Sequence, residues 1–192
     1  MKTLILASTS PRRKLLLEQA GFSFLAVASD FEEFVDDKLS PYELVKTLAL
    51  GKAQAVAAKY PQAVILSGDT IVVLGRTIFG KPQDAQHAKE ILRALSGKQH
   101  SVITGFALLD TASQHVLSEA MEAKVWFKNL SDEVIDAYLA TGEPFDKAGA
   151  YALQGKGRDL VEKIEGEDSV VIGLPIERVT ILLDQFGIKK EN

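Results

Sequence analysis

The strongest constraint on the fold is the alternation of short apolar runs with segments that carry helix-capping signals. Residues 3–7 form an apolar run that predicts a buried strand. The serine–proline pair at 10–11 follows it, and serine can cap a helix whose first position proline favours. The sequence SPYE at 40–43 is a capping box that predicts a helix extending to about residue 59. Strands that alternate with helices along a chain predict an α/β fold.

The same alternation continues to the C-terminal end of the chain. Two short β-type runs surround the sequence SGDT, and two longer strands further on are spaced like a hairpin. Gly97, Gly142 and Gly187 each follow a helical pattern and mark its end. The predicted strands are 23–28, 63–66, 71–74, 99–109 and 115–128, the predicted helices are 84–95, 131–142 and 175–187, and residues 143–172 are predicted to be rich in β-structure.

Composition excludes several classes of protein. The chain has 192 residues, of which 46% are hydrophobic and 25% charged, as in an ordinary globular domain. Its formal net charge of −4 argues against binding to long DNA or RNA. The absence of cysteine excludes disulfides, thiolate metal sites and cysteine nucleophiles. No apolar run is long enough to span a membrane, so we expect a cytoplasmic protein with no membrane partner.

Two arginines occupy an unfavourable position near the N terminus. Arg12 and Arg13 fall in the first turn of the predicted helix, where the helix dipole favours acidic residues. An anion bound at that helix end would reverse the effect, because free N–H groups, hydroxyls and guanidinium groups would converge on it. The sequence STSPRR at 8–13 is therefore either a phosphate site or a solvated basic patch.

Two further charges stand in places that local structure does not require. Lys52 lies within the apolar stripe of the long helix, four residues from both Leu48 and Val56. It either meets an anion or extends its ammonium to water. Asp69 lies between two apolar runs, where a carboxylate can bind a metal or activate water. Turn formation is the simpler interpretation of its Gly-Asp pair.

Other charged segments leave their role open. Lys81 and Lys147 each follow a predicted element, and each on its own is typical of a surface charge. The acidic segment at 30–37 is either a solvated face or the source of a metal carboxylate. Known phosphate and nucleophile motifs are missing: the chain has no GxxxxGK[ST] and no GxSxG, and its three histidines lack zinc spacing.

Taken in order, these segments resemble the Maf family of nucleotide pyrophosphatases. The resemblance extends over nearly the whole chain. It rests on STSPRR at 8–13, EE at 32–33, GKAQAV at 51–56, GDT at 68–70, GKP at 80–82, LSGKQHSVITG at 95–105, GEPFDKAGAYALQG at 142–155 and GLP at 173–175.

The resemblance implies a fold similar to that of the inosine triphosphate pyrophosphatases. That fold is a long curved mixed β-sheet flanked by helices, forming a single domain over residues 1–192 with two lobes around a central cleft. It also implies hydrolysis of a nucleoside triphosphate to the monophosphate and pyrophosphate. A divalent cation, Mg²⁺ or Mn²⁺, is the implied cofactor, and a homodimer is the implied assembly.

The resemblance also implies roles for individual residues. Asp69 matches the catalytic base, and either Glu33 or Glu32 joins it as a metal carboxylate. Ser8, Arg13, Lys52 and Lys81 match contacts to the substrate and its phosphates. Arg12, Thr70 and Gln154 match the branch of the family that acts on dTTP and UTP.

One segment departs from the family pattern. Many members of the family carry an aromatic residue shortly before GLP, whereas this chain has EGEDSVVI at 165–172. If that aromatic residue packs near the nucleotide, the departure affects substrate preference more than catalysis.

Three alternatives stand beside dTTP and UTP hydrolysis. They are a nucleotide-binding regulator of cell division that does not hydrolyse its ligand, a pyrophosphatase for 7-methyl-GTP, and a phosphatase that releases orthophosphate.

Overall fold

Strands and helices alternate along the chain, as the sequence predicts. The computed structural model describes residues 2–32 and 38–191, and within them seven strands and six α-helices form. The strands are β1 Thr3–Leu6, β2 Leu25–Ala26, β3 Ala63–Leu74, β4 Thr77–Phe79, β5 Gln99–Asp110, β6 His115–Phe127 and β7 Val161–Glu165. The helices are α1 Pro11–Gln19, α2 Pro41–Ala57, α3 Ala85–Leu95, α4 Asp132–Leu139, α5 Asp168–Ile172 and α6 Ile176–Gln185.

The strands form one mixed sheet in the order β2-β1-β3-β5-β6-β7, with β4 paired to β3 outside this path. β1 runs parallel to both β2 and β3, whereas β4 is antiparallel to β3 and β7 is antiparallel to β6. The predicted α/β class, with a mixed sheet flanked by helices, is therefore confirmed. The two long strands β5 and β6 are neighbours in the sheet and are joined by four residues, as a hairpin requires.

The structure corrects two predictions of secondary structure. The runs predicted at 63–66 and 71–74 are parts of the single strand β3, so Asp69 lies inside a strand and not in a turn. Pairing in the sheet overrides the low strand propensity of the Gly-Asp pair. The segment 143–172, predicted to be rich in β-structure, contains three 3-10 turns, one short strand and helix α5. Its glycines at 149 and 155 have positive φ angles of 70° and 73°, which interrupt any extended run.

The chain divides into two compact units, which we describe separately. The first unit consists of Met1–Asp69, Thr104–Met121 and Gly173–Asn192, and the second of Thr70–Ile103 and Glu122–Ile172. The boundary therefore falls inside β3, directly after Asp69. Within the described ranges, no helix is both long and apolar enough to cross a membrane.

Helix α2 packs closely on the sheet in the first unit. Its small residues Ala49 and Ala53 are fully buried against Ile5, Ile65 and Ala107. At Gly105 on β5, an added Cβ would lie 2.5 Å from the main-chain carbonyl of Val45, a distance that real Cβ atoms do not tolerate. Glycine at 105 and alanine on the helix face therefore allow the helix to approach the sheet this closely.

The core of the second unit is built around helix α3 and an aromatic group. Ile91, Leu92 and Leu95 of α3 are buried in it. His100, which is only 2% exposed, lies edge-on to both Phe127 and Tyr151, and its Nε2 is 2.8 Å from the Tyr151 hydroxyl. Burial lowers the pKa of His100 from its ordinary value of 6.5 to about 4 and raises the pKa of the Tyr151 hydroxyl. The histidine is therefore neutral at physiological pH.

We expect His100 to make the protein less stable in mild acid. Between pH 6.5 and pH 4 the unfolded chain binds a proton at this histidine and the folded chain does not, so the free energy of unfolding falls as the pH falls. A shift of this size corresponds to a loss of at most about 3 kcal/mol over the window. Urea denaturation at several pH values, compared between the wild type and His100→Asn, isolates the contribution of His100.

The variant His115→Asn provides the control for this experiment. His115 is exposed at the start of β6, so its removal should leave the pH dependence of the wild type in place. Identical slopes in the wild type and His100→Asn would show that burial of His100 does not control stability in acid.

Candidate active site

An ion pair between Lys52 and Asp69 lies at the centre of the candidate site. The ammonium Nζ of Lys52 on α2 donates to Oδ1 of Asp69 on β3. The side chains are only 14% and 12% exposed, respectively. The structure therefore resolves the alternatives for Lys52: it faces an anion rather than extending to water. A carboxylate and an ammonium held this close in a place with little water are suited to handling protons and phosphate charge.

The packing of α2 on β3 determines that Lys52 faces Asp69. Ser67 lies two residues before Asp69 and therefore on the same face of β3. Its buried hydroxyl donates to the carbonyl of Ala49, at 2.6 Å, and Ala49 lies one turn before Lys52 on α2. This hydrogen bond and the close approach at Gly105 hold α2 at one position along the strand. Lys52 consequently meets Asp69.

The N terminus of α1 provides a second group of polar atoms. Ser10 caps the helix by accepting the main-chain N–H of Arg13, and Ser8 accepts the N–H of Ser10 at 3.2 Å. Ser8 is 8% exposed and also accepts from the Arg13 guanidinium, at 3.4 Å. The predicted arrangement of hydroxyls and arginine at a helix N terminus is therefore present. Arg12 is half-buried in the same first turn.

Arg13 lies against the strand that carries Asp69. Its Nε donates to the carbonyl of Gly173, at 2.7 Å, in the segment that leads into α6. A Cβ added to Gly68 would lie 3.2 Å from the same Nε, so the arginine passes directly over this glycine. Because Gly68 precedes Asp69, the structure brings Ser8, Arg13, Lys52 and Asp69 to one region of the first unit.

Three other predicted residues belong to the second unit. Thr70 continues β3 and is half-buried, and Lys81 is exposed in the loop after β4. Gln154 is half-buried before the 3-10 turn Gly155–Leu160, and its side chain does not cap that turn. The carbonyl of Gly80, next to Lys81, accepts the N–H of Gly149 at 3.0 Å.

The predicted metal carboxylates are only partly covered by the structure. Glu33 lies outside the described residues, whereas Glu32 is described and is exposed. Among residues 2–32 and 38–191, no cluster of three or more histidines and acidic residues could hold a metal. Of the predicted metal carboxylates, Asp69 is the one that the structure describes beside Lys52. One or two protein carboxylates together with substrate phosphates are a typical ligand set for Mg²⁺, and Asp69 fits that chemistry.

Two features of these units were missed or misjudged at the level of sequence. Lys147 resembles a surface charge, but its side chain is only 12% exposed. Its Nζ donates to the carbonyl of Glu143 at 2.5 Å and pairs with Asp146. Ser67 gave no signal beyond its place beside GDT, because its role depends on a helix that is distant in sequence.

Comparison with known proteins identifies the family. The family described as "Maf-like protein" matches residues 3–186. The chain is 47% identical over 187 residues to the dTTP/UTP pyrophosphatase of Dictyoglomus turgidum, with 97% of each chain covered. The chain belongs to the Maf family. Relatives with the same name are found in Bacillus cytotoxicus, at 48% identity with 97% and 96% coverage, and in Methanosarcina mazei, at 43% identity with 98% and 96% coverage.

We expect the Lys52–Asp69 pair of this Maf protein to contribute to stability. Lys52→Met keeps most of the side-chain length but leaves the Asp69 carboxylate without its cation in a place with little water. The free energy of unfolding should fall by about 2–3 kcal/mol, somewhat less than for a fully buried pair. Urea denaturation of Lys52→Met, Asp69→Asn and the double variant measures the coupling between the two residues.

The double variant decides whether Lys52 and Asp69 stabilise the fold as a pair. It removes both charges, so it should recover part of the stability lost in Lys52→Met. Purely additive effects of the two substitutions would show that the pair does not stabilise the fold.

Proposed function

We propose that this protein hydrolyses dTTP and UTP to the nucleoside monophosphate and pyrophosphate and thereby removes unwanted pyrimidine nucleotides from the cellular pool. The observation that carries the proposal is the convergence of Ser8, Arg13, Lys52 and Asp69 in a chain that matches the family over residues 3–186. Relatives named dTTP/UTP pyrophosphatase, with 43–48% identity over nearly the full length, support the assignment of the substrates.

The positive groups of the first unit suit a triphosphate. The N terminus of α1 carries the positive end of the helix dipole, and Arg13 and the Ser8 hydroxyl lie beside it. Such helix ends bind phosphate, because the N–H groups and the dipole both favour negative charge. An anion at this position also removes the unfavourable interaction of Arg12 and Arg13 with the dipole.

Asp69 is the proposed base. It accepts the proton of a water molecule whose oxygen forms a new bond to the α-phosphorus. The bond between that phosphorus and the bridging oxygen of the pyrophosphate breaks, and pyrophosphate leaves with the electron pair. Lys52 donates to Asp69 in the structure. We propose that substrate phosphates compete for this ammonium, so that Asp69 is released as a base when the substrate is bound. Phosphoryl transfer depends mainly on such positioning and charge neutralisation.

A divalent cation, Mg²⁺ or Mn²⁺, is part of the proposal. Asp69 would hold it together with Glu33 or Glu32 and the substrate phosphates. When bound, such an ion neutralises phosphate charge and makes a bound water more acidic. Lys81 is the proposed additional phosphate contact from the second unit.

Arg12, Thr70 and Gln154 are the proposed specificity residues. The uracil and thymine rings present two carbonyl acceptors on either side of one N–H donor. A glutamine amide carries both a donor and an acceptor, so it can satisfy two adjacent positions on that edge. Because Gln154 does not cap the turn that follows it, its amide can serve this purpose.

The proposal also covers the partner, the location and the assembly of the enzyme. A free nucleoside triphosphate is the partner, the cytoplasm is the location, and a homodimer of two-lobed Maf domains is the assembly. Two alternatives give different products: a nucleotide-binding regulator releases none, and a phosphatase releases orthophosphate. An assay of UTP with Mg²⁺ or Mn²⁺, scored for UMP and pyrophosphate, separates the three.

We expect Asp69→Asn to lose hydrolysis of UTP. The amide cannot accept the proton of the attacking water, and loss of a general base costs about 10²- to 10⁴-fold in rate. Pyrophosphate release by the purified variant, normalised to folded protein by circular dichroism, measures the effect. Turnover close to that of the wild type would contradict the assignment of Asp69.

Asp110→Asn is a matched control in the same unit. Asp110 is a carboxylate near the end of β5 that is 3% exposed, and hydrogen bonds from Lys2 and Ser113 lower its pKa to about 2. The variant should lose stability at neutral pH, because its paired charge is gone, and it should retain turnover. This contrast separates loss of a catalytic carboxylate from loss of any buried carboxylate.

We expect Gln154→Ala to reduce the preference for pyrimidine nucleotides. The wild type should hydrolyse UTP with a higher kcat/KM than GTP, because a guanine edge leaves a desolvated group unpaired at a cost of about 1–3 kcal/mol. The ratio of kcat/KM for UTP to that for GTP should fall about tenfold in Gln154→Ala. A wild type that prefers GTP, or a ratio that the substitution leaves unchanged, would refute this role.

A further inference from the structure

The carboxylate of Glu143 lies against the turn that follows Gln154. Its Oε1 accepts the main-chain N–H of Lys156 at 3.2 Å. A Cβ added to Gly155 would lie 2.7 Å from Oε1 and 3.0 Å from Oε2, so both carboxylate oxygens contact this glycine. Gly155 has a φ angle of +73°, and this conformation also favours glycine. All these residues belong to the second unit.

Glu143 itself is held firmly in place. It begins the 3-10 turn Glu143–Asp146, and its main-chain N–H donates to the Thr141 hydroxyl at 3.1 Å. Its carbonyl accepts the ammonium of Lys147. The Glu143 side chain therefore reaches toward Gly155 from a backbone that is fixed at both ends.

A second contact holds the chain on the other side of Gln154. The Tyr138 hydroxyl accepts the N–H of Ala152 at 3.3 Å. A Cβ added to Gly157 would lie 2.7 Å from the same hydroxyl, so this tyrosine also packs against the far side of the turn. Gln154 thus lies between two anchored residues, Ala152 and Lys156. Of the two anchors, the Lys156 contact depends on a charged side chain.

The two oxygens of the Glu143 carboxylate have different surroundings. Its Oε2 is buried and has no hydrogen-bond partner among the described residues. An unsatisfied buried oxygen is unfavourable, and native proteins keep such groups mainly where they serve a purpose. The hydrogen bond from the Lys156 N–H to Oε1 is therefore the contact through which this carboxylate acts on the turn.

We infer that Glu143 is a positioning residue for nucleobase selection. Its carboxylate fixes the turn at 155–156 and thereby fixes the direction from which the Gln154 amide meets the base. This inference rests on the proposed function, because it takes Gln154 as the group that contacts the base. Because Glu143 acts through Gln154 in this inference, it is a positioning residue and not a catalytic one.

The test compares Glu143→Ala, Glu143→Asp and Glu143→Gln with Gln154→Ala. Alanine removes the acceptor for the Lys156 N–H, aspartate keeps the charge but shortens the reach by one methylene, and glutamine keeps both the reach and an acceptor oxygen. The ratio of kcat/KM for UTP to that for GTP should fall about tenfold in the alanine and aspartate variants, since misplacement of a substrate-positioning group is costly. The ratio should be retained within about twofold in Glu143→Gln. Glu162→Ala, which removes an exposed charge on β7, is the control and should match the wild type.

A measurement without substrate tests the structural part of the inference. Amide hydrogen exchange of the ligand-free protein should be faster at Lys156 in the alanine and aspartate variants and unchanged in Glu143→Gln. Exchange at Ala152, which Tyr138 holds, should stay as in the wild type. If the alanine variant does not fold, the aspartate and glutamine variants still provide the comparison.

The outcomes separate this inference from the proposed function. If Gln154→Ala lowers the ratio and neither Glu143→Ala nor Glu143→Asp does so, the positioning role is refuted and the role of Gln154 stands. If Gln154→Ala leaves the ratio unchanged, the proposed reader of the base is wrong and the inference fails with it. A ratio that falls equally in Glu143→Gln and Glu143→Ala would show that charge, not the hydrogen bond to Lys156, is what matters, and would also overturn the inference.

Discussion

The close packing of α2 on the sheet is the contact on which the candidate site depends. Gly105 lets the helix backbone at Val45 lie where any side chain on the strand would collide, and the Ser67 hydroxyl then fixes the helix by binding the Ala49 carbonyl. Both contacts act on the helix within one to two turns of Lys52. A slip of the helix by a single residue would rotate that lysine about 100° away from β3. The packing of small residues therefore determines the electrostatics of the site.

The charges of Lys52 and Asp69 are each unfavourable in their positions, but as a pair they compensate each other. A lysine in an apolar helix stripe and an aspartate within a buried strand are each costly alone, because both lose water. Paired, they compensate each other in a region with little solvent. The arginines at the start of α1 receive no such compensation from their helix dipole, which disfavours cations there. A site built from groups that local structure disfavours is consistent with selection for ligand binding rather than for stability.

Local signals explain which parts of this fold the sequence predicts. The caps at Ser10 and Ser40 act within one helical turn, so the starts of α1 and α2 follow from the sequence alone. The continuity of β3 through Gly68 does not follow from the sequence alone, because it depends on pairing with strands that are distant in the chain. Likewise, the partner of Lys52 lies on another element, and periodicity shows only that the lysine faces inward. The proposed role of Gln154 came from resemblance to the Maf family and not from any physical pattern in the sequence.

The second unit differs from the first in how its structure holds the predicted site residue. The segment from Gly142 to Gly157 has little regular pairing, yet the proposed role of Gln154 requires its side chain to keep a defined direction. The segment contains 3-10 turns, left-handed residues at Gly149 and Ala150, and side chains that bind the backbone. Ala150 is fully buried at a φ angle of +57°, a conformation that costs a non-glycine residue about 1 kcal/mol or more and persists only where the surroundings enforce it. Under the proposed function, the direction of the Gln154 amide therefore depends on turns and side-chain contacts within the second unit and not on pairing in the sheet.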